Sequence, residues 1–179
     1  MAYIAGLPAS VAQARALLYN LHMDTTTANP FSFVLYKNKP AVILTTGSKK
    51  IEIAVAESGK LSVRPKDVTL LHPGPLKNLA ALTTVEGDVL TAWELLAGET
   101  TSLPELADLA FGDYTPATAW AAWQLVADGL YFDGSPDEIV VRSAEEVAEI
   151  KMARAEKAAE AAAWAGFISR LQENEVGGR

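Results

Sequence analysis

The chain has 179 residues, half of them apolar and 21% charged, with a formal net charge of −7. Such a composition suits a folded protein of one medium or two small domains and excludes a disordered one. The acid excess argues against gross affinity for nucleic acid or membrane. With no cysteine, disulfides and thiolate metal sites are excluded, and a reducing cytoplasm is the expected setting.

Residues 1–30 read as an N-terminal helix and a polar linker. Val11, Ala14, Leu17, Leu18 and Leu21 recur at helical spacing behind Ser10, a candidate N-cap. Met1 to Leu21 carries one basic residue, Arg15, in an interrupted apolar stretch unlike a secretory signal, and no apolar run reaches the length of a membrane span. Met23, inside the polar stretch "MDTTTANP", is an alternative start.

Residues 31–75 are β-rich. "FSFVLYK", "PAVILTT", "KIEIAVA", "KLSVRP" and "DVTLLH" are short strand-forming runs separated by "NK", "GSKK" and "ESGK" turns. Strands this short predict a small closed barrel, SH3-like in preference to OB-like. "HPGPL", residues 72–76, can continue neither strand nor helix, so a boundary is placed there.

Residues 76–142 predict a winged helix-turn-helix. "EGDVLTAWELLAG" is a helix closed by Gly98, and "TSLPELADLAFG" opens on a capping box of Ser102 and Glu105 and closes at Gly112. "YTPATAWAAWQLVADG" has Thr115 as N-cap, Pro116 in the first turn and Gly129 as its stop. "LYF", "DGSPDE" and "IVVR" then form a hairpin wing. Residues 143–179 begin with a second capping box, Ser143 and Glu146, and continue as a long helix of alanine and charge without a wide apolar stripe. Near its end Trp164, Phe167, Ile168 and Leu171 cluster at helical spacing, a patch expected to dock on another domain. The fold class is therefore α+β: a small barrel, a winged helix and a linker helix.

Charge is shared unevenly among these pieces. No Lys, Arg or His lies between Lys77 and Arg142, a stretch that holds acids from Glu86 to Glu138. Phosphate neutralisation and base reading both lean on cations, so this module is a poor duplex-DNA binder; Trp120 and Trp123 on its third helix read as core rather than as a stacking platform. The β-rich piece carries Lys37, Lys39, Lys49, Lys50, Lys60, Arg64 and Lys66 against Glu52, Glu57 and Asp67. Most sit in or beside the turns, where several could line one rim that follows an RNA backbone, with Tyr36 and Phe33 offering stacking surfaces. Lysines at strand ends also serve simply to keep sheet edges soluble.

No catalytic residue or metal site is legible. His22 and His72 lack metal-ligand neighbours, with His72 read as a linker residue, and no HExxH, GxSxG or phosphate-binding loop occurs. The acids of "FDGSPDE" depart from a calcium loop.

The order of parts, with "RPKDVTLLHPG", "PELADLAFGDYTPATAWAAWQLVADGLYF" and "AEEVAEIKMARAEKAAEAAAWAGFISRL", resembles the N-terminal region of the ribonuclease II / ribonuclease R family, in the short bacterial form of cyanobacteria and relatives. The resemblance covers about residues 31–172. It implies a 3′→5′ exoribonuclease that hydrolyses single-stranded or structured RNA to nucleoside 5′-monophosphates. The Mg²⁺ of that chemistry is held by an aspartate cluster in a downstream catalytic domain, to which nothing here matches. The chain is then expected to be a non-catalytic RNA-guiding region that needs no cofactor of its own, and the Trp164 to Leu171 patch would dock on the catalytic domain. A winged-helix regulator and a protein-interaction module are the alternatives.

Overall fold

The structure, a computed structural model, describes residues 29–176. The helix expected over residues 9–22, Met23 and the last three residues lie outside the described residues. The described chain is mixed α+β, with two antiparallel sheets and a long C-terminal helix.

The first sheet contains β1 (Phe33–Tyr36), β2 (Lys39–Thr45), β3 (Ile51–Val55), β4 (Gly59–Val63) and β5 (Thr69–His72), in the order β4-β3-β2-β1-β5. Its first hairpin turns on two residues, Lys37 (φ 48°) and Asn38 (φ 62°), both left-handed. Turns of this hand match the twist of the strands they join, and asparagine tolerates the conformation well.

Alternation along the strands sorts the side chains into two cores. Val34, Ala41, Ile43, Ile51, Ile53, Val55 and Val63 pack together on one face. Phe33, Leu35, Val42 and Leu71, from the opposite face, join a cluster built mainly by the helices. Burial on both faces is why β1 and β2 read as unbroken apolar runs rather than as alternating ones.

The sheet has to curl steeply. β4 and β5 are its two edges and run in the same direction, yet only residues 64–68 connect them, including a 3₁₀ turn at Pro65–Asp67. Laid flat, the edges would stand about 19 Å apart, at ~4.8 Å per strand spacing. The connection must also return along a strand, and at full stretch it reaches only about 20 Å. Even so, no ladder joins β4 to β5 among the described residues, so the closed barrel expected from the sequence is not formed by hydrogen bonds.

Three helices and a small sheet follow: α1 (Val89–Leu96), β6 (Thr100–Thr101), α2 (Leu103–Phe111), α3 (Pro116–Asp128), β7 (Phe132–Gly134) and β8 (Ile139–Val141). The strand order is β6-β8-β7, so β6 widens the hairpin into three strands. Asp88 caps α1 by accepting from the Thr91 N–H at 3.1 Å, and Thr115 and Thr118 form a reciprocal capping box on α3. Gly112 and Gly129 end α2 and α3 in the left-handed conformation. The box expected from Ser102 and Glu105 does not form. Ser102 makes no side-chain cap, and Glu105 instead accepts from the Thr101 hydroxyl at 2.7 Å.

Although "HPGPL" separates the two sheets along the chain, side chains from both sides share one core. Phe33 is fully buried and meets Trp120 edge-on, with centroids 6.0 Å apart. The Tyr114 hydroxyl donates to the Leu71 carbonyl at 2.6 Å.

Last comes α4 (Ala144–Val176), opened by the reciprocal box of Ser143 and Glu146. It is held to the body by buried Val147, by Lys151 Nζ 5.3 Å from the Tyr131 ring centroid, and by an Arg154–Asp128 ion pair of 3.1 Å. From Lys151 to Gln172 every residue is exposed.

Candidate nucleic-acid interface

The strand register places the seven cations at two ends of the curled sheet, not along one rim. Lys49 and Lys50 precede Ile51, which pairs with Val63, so Arg64 lies at the same end, with Lys66 two residues on. Lys37, Lys39 and Lys60 occupy the other end, where Tyr36 pairs with Lys39 and Gly59 with Val55. Lys49, Lys50 and Arg64 thus share one end, but antiparallel strands send alternate turns to opposite ends, so the seven do not all line one rim.

Nor are the cations equally free. Arg64 is forked onto Asp67, its Nε 2.9 Å and its second nitrogen 3.1 Å from the two carboxylate oxygens, and that hydrogen bonding holds the Asp67 carboxyl below its usual range. Lys39 pairs with Glu57 at 3.5 Å, and the Lys37 ammonium sits 5.4 Å from the Tyr36 ring centroid. Among the described residues no acid pairs with Lys49, Lys50 or Lys60, all of which are exposed, while the charge of exposed Lys66 acts on the neighbouring Asp67 carboxylate. A single exposed contact such as Lys39–Glu57 contributes little to stability, whereas the bidentate Arg64–Asp67 fork is the stronger kind of pair.

The two aromatic candidates divide. Tyr36 is half-buried at the first turn, with one face toward Lys37. Phe33 is fully buried between the sheet and α3 and offers no surface for stacking; the expectation for it is corrected.

In the helical module the one cation at its end, Arg142, is committed internally. Its Nε donates to the Gly129 carbonyl at 3.1 Å and its terminal nitrogen to Asp133 at 2.8 Å, while its own carbonyl accepts from Trp93 Nε1 at 2.7 Å. Trp120 and Trp123 are half-buried rather than fully buried. With Gln124, Asp133, Gly134 and Asn38 of the β1–β2 turn they line a cleft of about 350 Å³. It lies where the two modules meet.

His72 is no linker residue. It ends β5, is buried, and clasps the helical module: its ring lies 4.5 Å from that of Tyr114, and its Nε2 is 3.2 Å from the Tyr114 carbonyl. Because the Gly74 N–H donates to Nδ1 at 2.9 Å, the ring is neutral with its proton on Nε2. Burial pushes its pKa below the ordinary histidine value, against a smaller opposing effect of the Tyr114 hydrogen bond.

Far from this junction the terminal patch stands open. Trp164 is 65% exposed and Phe167 44%, their rings 5.6 Å apart, with Ile168 and Leu171 exposed beside them. Among the described residues no three His, Asp or Glu side chains converge to hold a metal ion. No helix among them is long and apolar enough to cross a membrane. No family model, curated protein or solved structure matches the chain.

Proposed function

We propose that this chain is the non-catalytic, RNA-guiding N-terminal region of a ribonuclease II / ribonuclease R-type 3′→5′ exoribonuclease. On this reading the first sheet is an SH3-like barrel. Its meander order, its steep curl and the 3₁₀ turn before the last strand support that assignment. The succession of helix, strand, two helices and hairpin supports a winged helix for residues 76–142.

The observation that carries the functional reading is the division of charge. Lys49, Lys50 and Lys60 are exposed and unpaired at the ends of the sheet, whereas the helical module has no cation between Lys77 and Arg142, and Arg142 is occupied. Backbone phosphates are drawn to the first surface and repelled by the second. The winged helix then packs against the sheet and does not enter a duplex groove. The two cation clusters, at opposite ends of strands about 17 Å long, are within reach of one extended RNA strand. The exposed Trp164 to Leu171 patch docks on the catalytic domain, where hydrolysis and its Mg²⁺ belong.

The direct test compares a single-stranded RNA with a duplex DNA of equal length at low salt. Salt-sensitive RNA binding, lost when Lys49, Lys50 and Lys60 are changed to glutamate, is expected, with duplex DNA bound no more tightly by the helical module's intact surface. Binding that survives those reversals sinks the assignment. A protein-interaction module is the second reading, favoured by the open terminal patch; absence of RNA binding at low salt would select it.

A further inference from the structure

We infer that the cleft between the β1–β2 turn and α3 seats one unstacked base of a single-stranded RNA. This rests on the RNA-binding reading and deepens it by naming the place and the chemistry of recognition.

Trp120, Trp123, Gln124 and Ala127 all line the cleft and fall at positions i, i+3, i+4 and i+7 of α3, a single helix face. Trp120 is braced from behind by Phe33, and Ala127 leaves room beside the indoles. Asn38, held by a left-handed turn, and Asp133 and Gly134 of β7 complete the lining. A volume of about 350 Å³ is that of a small-ligand cleft.

The lining has the chemistry of a base rather than of an aliphatic side chain. Two half-buried indoles supply flat apolar surface. No described residue hydrogen-bonds the Asn38 or Gln124 amide or the indole N–H of Trp120 or Trp123. Each amide offers both a donor and an acceptor, the combination a base edge presents in return. The one acid in the lining is neutralised: Asp133 accepts from Arg142 at 2.8 Å and from the Gly134 N–H at 2.9 Å. Lys37 and Lys39 flank Asn38, so a phosphate next to a seated base meets cations.

The test uses the full chain with two probes, an oligouridine and an abasic ribose-phosphate oligomer of the same length. Base-bearing RNA is expected to bind more tightly and to quench tryptophan fluorescence. Trp123→Ala should weaken binding of the base-bearing probe by about 5- to 150-fold, the range of one base–aromatic stack, and leave the abasic probe unchanged. Because Trp123 is half-buried, Asn38→Gly with Gln124→Ala supplies a second variant, in which glycine keeps the left-handed turn; it should lower the same affinity and again spare the abasic probe. Equal binding of the two probes, or unaltered base-bearing affinity in the double variant, overturns the seat while leaving backbone binding intact. If neither probe binds at low salt, the RNA reading fails and the seat with it.

Discussion

Replacing Phe33 with alanine tests whether the two modules fold as one body. Phe33 belongs to β1 of the first sheet, but its ring is fully buried in the cluster shared with the helices and lies 6.0 Å from Trp120. Truncating such a ring removes its transfer free energy and leaves a cavity, together about 3–5 kcal/mol. For a folded body of this size that corresponds to a fall in melting temperature of roughly 6–20 °C. Urea unfolding followed by indole fluorescence, in a Trp164→Phe background that removes the exposed indole of α4, reads the helical module directly, since the other three tryptophans, Trp93, Trp120 and Trp123, all lie in it. Far-UV circular dichroism reads the whole. The wild-type protein should give coincident transitions, and Phe33→Ala should move both together to lower urea. An indole transition that stays at its wild-type midpoint would refute the shared core, because a change in the sheet would then not reach the helices.

Three further outcomes are expected. Stability should decline as the pH falls below about 6.5, because the folded state holds His72 with a lowered pKa and the unfolded chain takes up its proton first; thermal melts of His72→Gln should lose that part of the acid sensitivity while remaining folded at neutral pH. Gly74→Ala should destabilise by more than about 1 kcal/mol, since Gly74 has φ +95° and an added Cβ would collide with the Phe31 carbonyl oxygen, and a melting curve equal to wild type would contradict this. Thr115→Ala removes the capping box of α3 and should cost about 0.5–2 kcal/mol in chemical denaturation, with Thr115→Ser restoring most of it.

The parts of the fold that were legible are those governed by neighbours in sequence. Five strands announced themselves by β-rich runs between turn residues, and Gly98, Gly112 and Gly129 stop helices with φ of 80°, 87° and 71°. What stayed hidden depends on tertiary arrangement. β6 has two residues, too few for any period. The capping box expected of Glu105 would take the Ser102 backbone N–H, but in the fold its carboxylate accepts instead from the hydroxyl of Thr101, a residue of β6. Phe33 stands near a turn, which suggests availability, but the unbroken run Phe33–Val34–Leu35 is the sign that both faces of β1 are covered. His72 beside two prolines carried no signal of the clasp it makes with Tyr114, more than forty positions away. The cleft could not be read directly, because Asn38 and Asp133 meet only in the folded chain. Its one sequence trace was the spacing of Trp120, Trp123, Gln124 and Ala127.

The salt dependence of single-stranded RNA affinity tests the division of charge most directly. Each contacted phosphate contributes about −0.7 to the slope of log affinity against log salt. Changing Lys49, Lys50 and Lys60 to alanine in the full chain should therefore make that slope shallower by about 2 and weaken binding at low salt. An unchanged slope would mean that these lysines meet no RNA, and that the positive surface of the sheet has another purpose.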